Sequence, residues 1–160
     1  MSDPLNSLLY EHMLMQRHVV HSTGPYGRQA HLDRSATLLL ARLKAEGPMT
    51  VAQLSEAFGL DISTVHRQLA AATKHGLIEK VRDPEGGAAW LHQPSEEGNA
   101  RLEEEFEARH TTFAAITSGW NYDDVRTFAE LMRRFNEKVE DQRGQPWPRR
   151  VTLPADPQQT

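Results

Sequence analysis

Most of the side chains that could do chemistry lie in the stretch TVAQLSEAFGLDISTVHRQLAAATKHGLIEK, from Thr50 to Lys80. After a single glycine it carries hydroxyl, imidazole, guanidinium, amide and ammonium groups, on Ser63, Thr64, His66, Arg67, Gln68 and Lys74. These groups match the hydrogen-bonding edges of bases and the charge of phosphates in DNA. With Ile62, Val65 and Leu69 facing inward, helical geometry turns them outward, and His66 lies nearest the border. The stretch therefore predicts a DNA-contacting surface.

Two short helices joined by a tight turn are needed to position these groups. Thr50 and Gln53 have the spacing of a capping box at the start of the first helix, which we expect to bury Leu54 and Phe58. Gly59 can adopt the positive φ of the turn. We expect Asp61 to cap the second helix, which buries Ile62, Val65, Leu69 and Ala72 and ends at Gly76. This pattern predicts a helix-turn-helix.

A small β-hairpin is predicted directly after the helix-turn-helix, over residues 77–93. The runs LIEKV and AAWLHQ are typical of strands, and RDPEGG between them supplies the Pro and Gly residues of a loop. A hairpin in this position makes the motif winged. Arg82, which directly follows the first of these runs, joins the candidate DNA contacts.

Helical patterns flank this unit, over residues 5–20, 34–45, 96–117 and 122–142. We expect Asp33 to cap the second of these helices, and the buried side of that helix to hold Ala36, Leu39, Leu40 and Leu43. The last helix has an apolar heptad seam of Val125, Phe128, Met132, Phe135 and Val139. The fold class predicted is mainly α with a β-hairpin wing. Its divisions are an N-terminal helix and loop (1–30), a winged helix-turn-helix (31–95), two further helices (96–143) and a Pro-rich disordered tail (144–160).

Charge is unevenly distributed along the chain. The 160 residues carry a formal net charge of -4. From Arg34 to Arg82, however, Lys and Arg outnumber Asp and Glu by three, and a local positive field attracts a polyanion regardless of the net charge. The sequence contains no transmembrane run and its N-terminus lacks the pattern of a signal peptide, so we expect a cytoplasmic protein.

The order of these elements resembles the MarR-type winged-helix transcriptional regulators. The stretch GPMTVAQLSEAFGLDISTVHRQLAAATKHGLIEK is similar to the family pattern G-x-(T/S)-x-x-x-L-A-x-x-x-G-(L/I)-x-x-S-T-V-x-R-x-(L/V), followed by G-L-(I/V). PSEEG closes the wing where the family often has L-T-x-x-G, and Ser55 replaces the usual alanine. In motif terms the resemblance covers residues 33–102.

The resemblance implies a homodimer whose N- and C-terminal helices interlock. It also implies two recognition helices on successive major grooves of a pseudo-palindromic operator, a repressor, and release from DNA by a small aromatic or anionic effector. That effector would lie between the dimer helices and the winged unit. The apolar residues of 5–20 and of the heptad seam agree, because one small domain does not need them all. Closing the core of a single chain is the alternative role for them.

The wing departs from the family pattern, which commonly reads D-P-x-D-R-R. Here Gly86 stands at the Asp position, and Gly87 and Ala88 stand at the Arg positions. Either DNA affinity is weaker, or Arg82 and His92 take over part of the phosphate contact. A winged-helix module that binds protein, with weak or no specific DNA binding, is therefore the alternative function.

Other chemistry finds little support in the sequence. Without cysteine there is no thiol sensing, and we expect no metal site and no cofactor. His12, His18, His21 and His31 are close in sequence, which leaves metal sensing as a minor alternative. Met13, Met15 and Tyr26 are candidates for an organic-ligand pocket, although the ligand-binding residues are not assigned. The acidic run LEEEFEARH is typical of a solvated helix face, and no phosphate loop or nucleophile elbow is present, so we do not expect an enzyme.

Overall fold

The computed structural model describes residues 3–19, 25–27 and 30–149. A 3-10 turn at Pro25–Gly27 separates the first two of the helices described. The elements are α1 (Pro4–Val19), α2 (Arg34–Glu46), α3 (Val51–Phe58), α4 (Ile62–Lys74), β1 (Ile78–Arg82), β2 (Trp90–Pro94), α5 (Glu96–Ile116) and α6 (Tyr122–Arg143). The predicted fold class, mainly α with a hairpin wing, is confirmed.

Local signals at the helix ends explain most of these bounds. The Asp33 carboxylate accepts a hydrogen bond from the Ala36 amide at 2.8 Å and caps α2. Thr50 and Gln53 form the predicted capping box at the start of α3, and Gly59 ends that helix with φ 60°. The prediction that the Asp61 side chain caps α4 is wrong. Asp61 occupies the N-cap position, but its side chain makes no capping hydrogen bond.

The core lies where α2, α3 and α4 meet the hairpin and α5. Its fully buried side chains include Leu39, Leu40, Leu43, Leu54, Val65 and Leu102. Ile62, predicted to be buried, is 54% exposed. It is the first residue of α4, beside the exposed Leu60 of the turn, and so lies at the edge of the packed layer. Phe58 is only partly buried and packs at the rim of the core.

The wing is a two-stranded antiparallel hairpin with Lys80 opposite His92 and Arg82 opposite Trp90. Its base is fastened to the loop before α3, because the backbones of Met49 and His92 exchange hydrogen bonds of 3.1 and 2.8 Å. These bonds fix the direction in which the hairpin leaves the core, next to α4.

Helices α1 and α6 have no buried residues in the described chain. Their apolar side chains are open to solvent, among them Leu5 at 57%, Leu9 at 59%, Phe128 at 42% and Phe135 at 50% exposure. The two helices meet through the rings of His12 and Phe135, whose centroids are 5.9 Å apart. The described helices include none that is long and apolar enough to cross a membrane.

The segment after α6 packs against the rest of the structure. Gly144 ends α6 with φ 64°, and residues Gln145–Arg149 turn back to contact α2 and α3. We call this segment the C-terminal strap. The disordered tail predicted from residue 144 is thus wrong as far as Arg149, because Trp147 finds aromatic and cationic partners that its Pro-rich surroundings do not reveal. Residues 150–160 lie outside the described residues.

Candidate nucleic-acid interface

The outward side of α4 carries a line of exposed polar side chains. Ser63, Arg67 and Lys74 are all exposed, at intervals of four and seven residues, which places them along one line of the helix. On the opposite side, Val65 and Leu69 are buried in the core. The helix is therefore held by its apolar side, and its polar side is free to enter a groove.

Thr64 and Gln68 lie on the flank of α4 that faces the start of α2. Both are half-buried and line a shallow cavity of about 380 Å³ together with Asp33 and Ser35. The Arg67 guanidinium reaches back to this flank, where its Nη2 donates a hydrogen bond of 3.3 Å to the Thr64 hydroxyl. That contact directs the charged group along the helix towards its N-terminus.

His66 lies on the other flank of α4, which faces the wing. It lines a groove of about 780 Å³ with Lys74, Lys80 and Trp90. Strand alternation places Lys80, Arg82 and Trp90 on the same side of the hairpin as the buried Ile78 and His92. This side of the wing therefore extends the basic surface of α4.

Arg82 and Trp90 form a stacked pair on that side of the hairpin. The guanidinium carbon of Arg82 is 3.8 Å from the centre of the Trp90 ring, and both side chains are exposed. Stacking restricts the arginine to one region and leaves its N–H groups free to bind an anion. Lys80 and Trp90 were missed by our sequence analysis, although the two-residue alternation from Arg82 and His92 could have identified them.

His92, one of the two suggested replacements for the wing arginine, cannot contact phosphate. It is only 4% exposed, and burial lowers the pKa of its imidazole, which favours the neutral form. Its Nδ1 atom is buried and has no hydrogen-bond partner among the described residues. The suggestion is wrong because His92 faces the core at the base of the hairpin.

The tip of the wing is acidic. Asp83 and Glu85 lie there, and the Asp83 carboxylate accepts a hydrogen bond of 2.9 Å from the Glu85 amide. Gly86 has φ 85°, and the Asp83 carboxylate occupies the space beside Gly87 where a side chain would lie. The cations of the wing are therefore on its strand β1, at Lys80 and Arg82, and not in the loop at its tip.

Another cavity, of about 490 Å³, lies away from α4, between α2, α5 and the end of α1. It is lined by Val19, Tyr26, Leu38, Arg109 and Phe113, among others. The Tyr26 and Phe113 rings meet edge to face, with centroids 5.3 Å apart. Tyr26 holds φ 54°, a strained value for a residue other than glycine. Of the three suggested ligand-pocket residues, Tyr26 lines this cavity, whereas Met13 and Met15 are not among its lining residues.

One buried carboxylate lies behind this cavity. Glu105 is fully buried, accepts a hydrogen bond of 2.8 Å from Nε of Arg109, and accepts another of 2.9 Å from the His31 amide. Glu105 thus holds Arg109 at the cavity wall and ties it to the segment that precedes α2.

The histidines named as metal-sensing candidates do not form a cluster within the described ranges. No group of three or more His, Asp or Glu side chains there could hold a metal ion. His21 lies outside those ranges.

A helix-turn-helix with a basic outward surface, followed by a hairpin wing, defines the winged-helix class of DNA-binding proteins. The MarR family model matches residues 32–89. A curated relative from Bacillus subtilis, the uncharacterized HTH-type transcriptional regulator YxaD, is 32% identical over 87% of this chain and 97% of its own length. The chain belongs to the MarR family of transcriptional regulators, whose members are not enzymes.

Two solved structures illustrate the shared fold. A MarR family protein from Bacillus stearothermophilus aligns with 87% of this chain and 99% of its own, with a TM-score of 0.63 and 19% identity. The Bordetella bronchiseptica BpsR structure, which concerns regulation of DNA binding by 6-hydroxynicotinic acid, aligns with 84% of this chain and 99% of its own, with a TM-score of 0.57 and 20% identity.

Proposed function

We propose that this regulator is a cytoplasmic repressor that binds a pseudo-palindromic operator as a homodimer. The observation that carries the proposal is a basic surface formed by α4 and the wing. Arg67 and Lys74 are exposed on α4, and Lys80 of the wing lines the same groove as Lys74. One dimer presents two such surfaces, and a two-fold operator presents two matching half-sites.

The side chains on this surface have different roles. Arg67 and Gln68 read base edges, because guanidinium and amide groups can make paired hydrogen bonds to guanine and adenine. Ser63 and Thr64, in the first turn of α4, bind phosphate with help from the helix dipole. Lys74 and Arg82 bind the phosphate backbone, and His66 lines the groove between α4 and the wing together with Lys74.

Dimerisation is supported by the apolar surfaces of α1 and α6. Leu5, Leu9, Phe128 and Phe135 are each 42% or more exposed, which is costly for so many large side chains on two neighbouring helices. A second copy of the chain can cover them, as the interlocked terminal helices of the family would.

The effector we propose is a small aromatic carboxylate in the 490 Å³ cavity. Tyr26 and Phe113 offer ring faces or edges, and Arg109, which lines the cavity together with Arg34, offers the positive charge to which we assign carboxylate binding. The relative BpsR, whose DNA binding is regulated by 6-hydroxynicotinic acid, supports a ligand of this class. Binding at Arg109 would compete with Glu105 and so alter the contact with the His31 amide at the entry to α2.

Salt-dependent binding to duplex DNA tests the proposal. Because basic side chains displace counterions from phosphates, the logarithm of affinity should fall steeply and linearly with the logarithm of salt concentration. Affinity that is absent at low salt, or that ignores salt, would contradict DNA binding. An aromatic carboxylate should weaken binding in the wild-type protein but not in the Arg109→Ala variant.

A protein-binding module is the second candidate, and the acidic wing tip favours it. Asp83 and Glu85 would repel a phosphate backbone but suit a basic protein surface. This candidate predicts that substitutions of Asp83 and Glu85, and not of Arg67, remove the main interaction of the protein. Comparing the two sets of variants in the same salt titration separates the two functions.

A further inference from the structure

The C-terminal strap connects α6 to three parts of the winged unit, which are α2, α3 and the turn after α3. The Trp147 ring lies 5.9 Å from the Phe58 ring at the end of α3, and the Arg42 guanidinium carbon of α2 lies 5.3 Å from the same indole. The Gln145 amide fills the space where a β-carbon on Gly59 would lie, in the turn itself. The strap thus contacts α2, α3 and the turn between α3 and α4.

Arg42 depends on the strap because it is a buried cation. Its side chain is 8% exposed, and Nη1 donates a hydrogen bond of 2.9 Å to the carbonyl oxygen of Pro146. Arg42 also forms an ion pair with Glu46, at 3.1 Å, and this pair lies within α2. Burying a guanidinium is costly unless it is paired, so Pro146 and the Trp147 ring stabilise a group that Glu46 alone would leave partly unsatisfied.

The strap is equally well fastened to α6. The Glu140 carboxylate accepts hydrogen bonds from the Trp147 amide at 3.1 Å and from Arg149 at 2.9 and 2.6 Å. The hydrogen bonds from the Arg149 guanidinium lower the pKa of Glu140, so this carboxylate keeps its charge at a lower pH than an ordinary glutamate does. The strap is therefore held by contacts to α6 as well as by contacts to α2 and α3.

The covalent connection of α6 to the winged unit runs through the turn at Gly119 and α5. Gly119 has φ 88°, and a helix that is held only at such a turn can swing. The strap holds the opposite end of α6 against α2. Because α2 also packs on α5, and α5 leads into α6, both ends of α6 are connected to the winged unit.

We propose that the C-terminal strap positions the recognition helix relative to the dimer interface, with Trp147 as its principal positioning residue. The inference rests on the proposed homodimer. In that dimer each α6 belongs to the shared interface, and each strap holds one helix-turn-helix at a set distance and angle from it. The strap thereby sets the half-site spacing that the dimer accepts, without touching DNA.

Operators of altered spacing test this role. The wild type, Trp147→Ala and Trp147→Phe are titrated with an operator, with the same operator lengthened by one or two base pairs between its half-sites, and with a single half-site. One added base pair shifts and rotates the second half-site, so the wild type should prefer the native spacing by on the order of tenfold. Trp147→Ala should reduce this preference to about threefold or less and leave half-site binding unchanged. Trp147→Phe, which keeps a ring against Phe58 and Arg42, should retain it.

The outcomes separate this inference from the proposed function. Full spacing preference in folded Trp147→Ala would overturn the role of the strap. A wild type that binds DNA with no spacing preference would instead contradict the dimeric function. If Trp147→Ala does not fold, Glu140→Gln decides, since it weakens the hold of α6 on the strap and keeps the indole in place. A reduced preference in Glu140→Gln supports the proposal, and an unchanged one overturns it.

Discussion

Arg67 lies at the middle of the outward side of α4, where the proposed function concentrates base reading. If its guanidinium binds guanine with two hydrogen bonds, Arg67→Ala should cost about 1–3 kcal/mol per half-site. Competition titrations with a bound operator measure this loss. Arg101→Ala, which removes an exposed arginine from α5, is the matched control and should bind operator as the wild type does. Equal affinity of Arg67→Ala and Arg101→Ala would mean that α4 is not the reading helix.

His92 should make the fold sensitive to mild acid. Burial lowers its pKa below the ordinary value of 6.5, and the nearby charge of Lys80 acts in the same direction, while a hydrogen bond with the Met49 backbone opposes it. The unfolded chain therefore takes up this proton first, so the contribution of His92 to stability is complete above pH 6.5 and falls as the pH drops towards its folded value.

Chemical denaturation at several pH values between 7.5 and 5.5 measures this effect. The free energy of unfolding should fall more steeply with acidification in the wild type than in His92→Leu, because leucine does not titrate and keeps an apolar side chain at the base of the wing. The hydrogen bonds between the Met49 and His92 backbones survive the substitution, whereas the bond of the imidazole to the Met49 backbone is lost with the ring. Parallel curves for the two proteins would show that His92 is not the acid-sensitive group.

At the scale of elements, the helices and hairpin were predictable because their signals are local. Apolar spacing, the Thr50–Gln53 capping box and Gly59 all act within a few residues. Two errors, at Asp61 and Ile62, lie at the start of α4, and the other two concern contacts between distant segments. His92 is buried because its strand pairs with Met49, and the strap is ordered because Trp147 meets Arg42 and Phe58. Neither contact leaves a pattern in the local sequence.

The candidate site was also predictable only where its residues are close in sequence. Helical spacing was enough to predict the outward side of α4, with Ser63 and Arg67 exposed. The grouping of His66, Lys74, Lys80 and Trp90 around one groove depends on the angle at which the hairpin leaves the core, which only the tertiary structure determines.

The wing offers a prediction of its own, because its tip carries no cation. Ala88→Arg should tighten binding to specific and random duplexes alike and steepen the slope of log affinity against log salt by about one unit per wing. Position 88 is preferable to 86, since Gly86 has a positive φ that favours glycine. A salt titration against Ala88→Gln, which adds length without charge, isolates the charge effect. Coincident lines for the two variants would place the wing tip away from DNA.

At the scale of the whole molecule, we expect the exposed apolar side chains of α1 and α6 to determine the oligomeric state. Replacing Phe128 and Phe135 with glutamate should yield a monomer or an aggregate and abolish operator binding, because charges cannot be buried against the same surface of a second copy. Sedimentation at micromolar concentration measures the change, and leucine at both positions should preserve the dimer. A wild-type protein that sediments as a monomer would contradict the assembly.

Selection of bound duplexes from a random pool tests the central claim, two recognition helices reading one operator, most directly. We expect enrichment of an inverted repeat whose half-site centres lie about 10 base pairs apart, and loss of that enrichment with Arg67→Ala. No enrichment at all, or enrichment of a single asymmetric site that Arg67→Ala binds equally well, would contradict it.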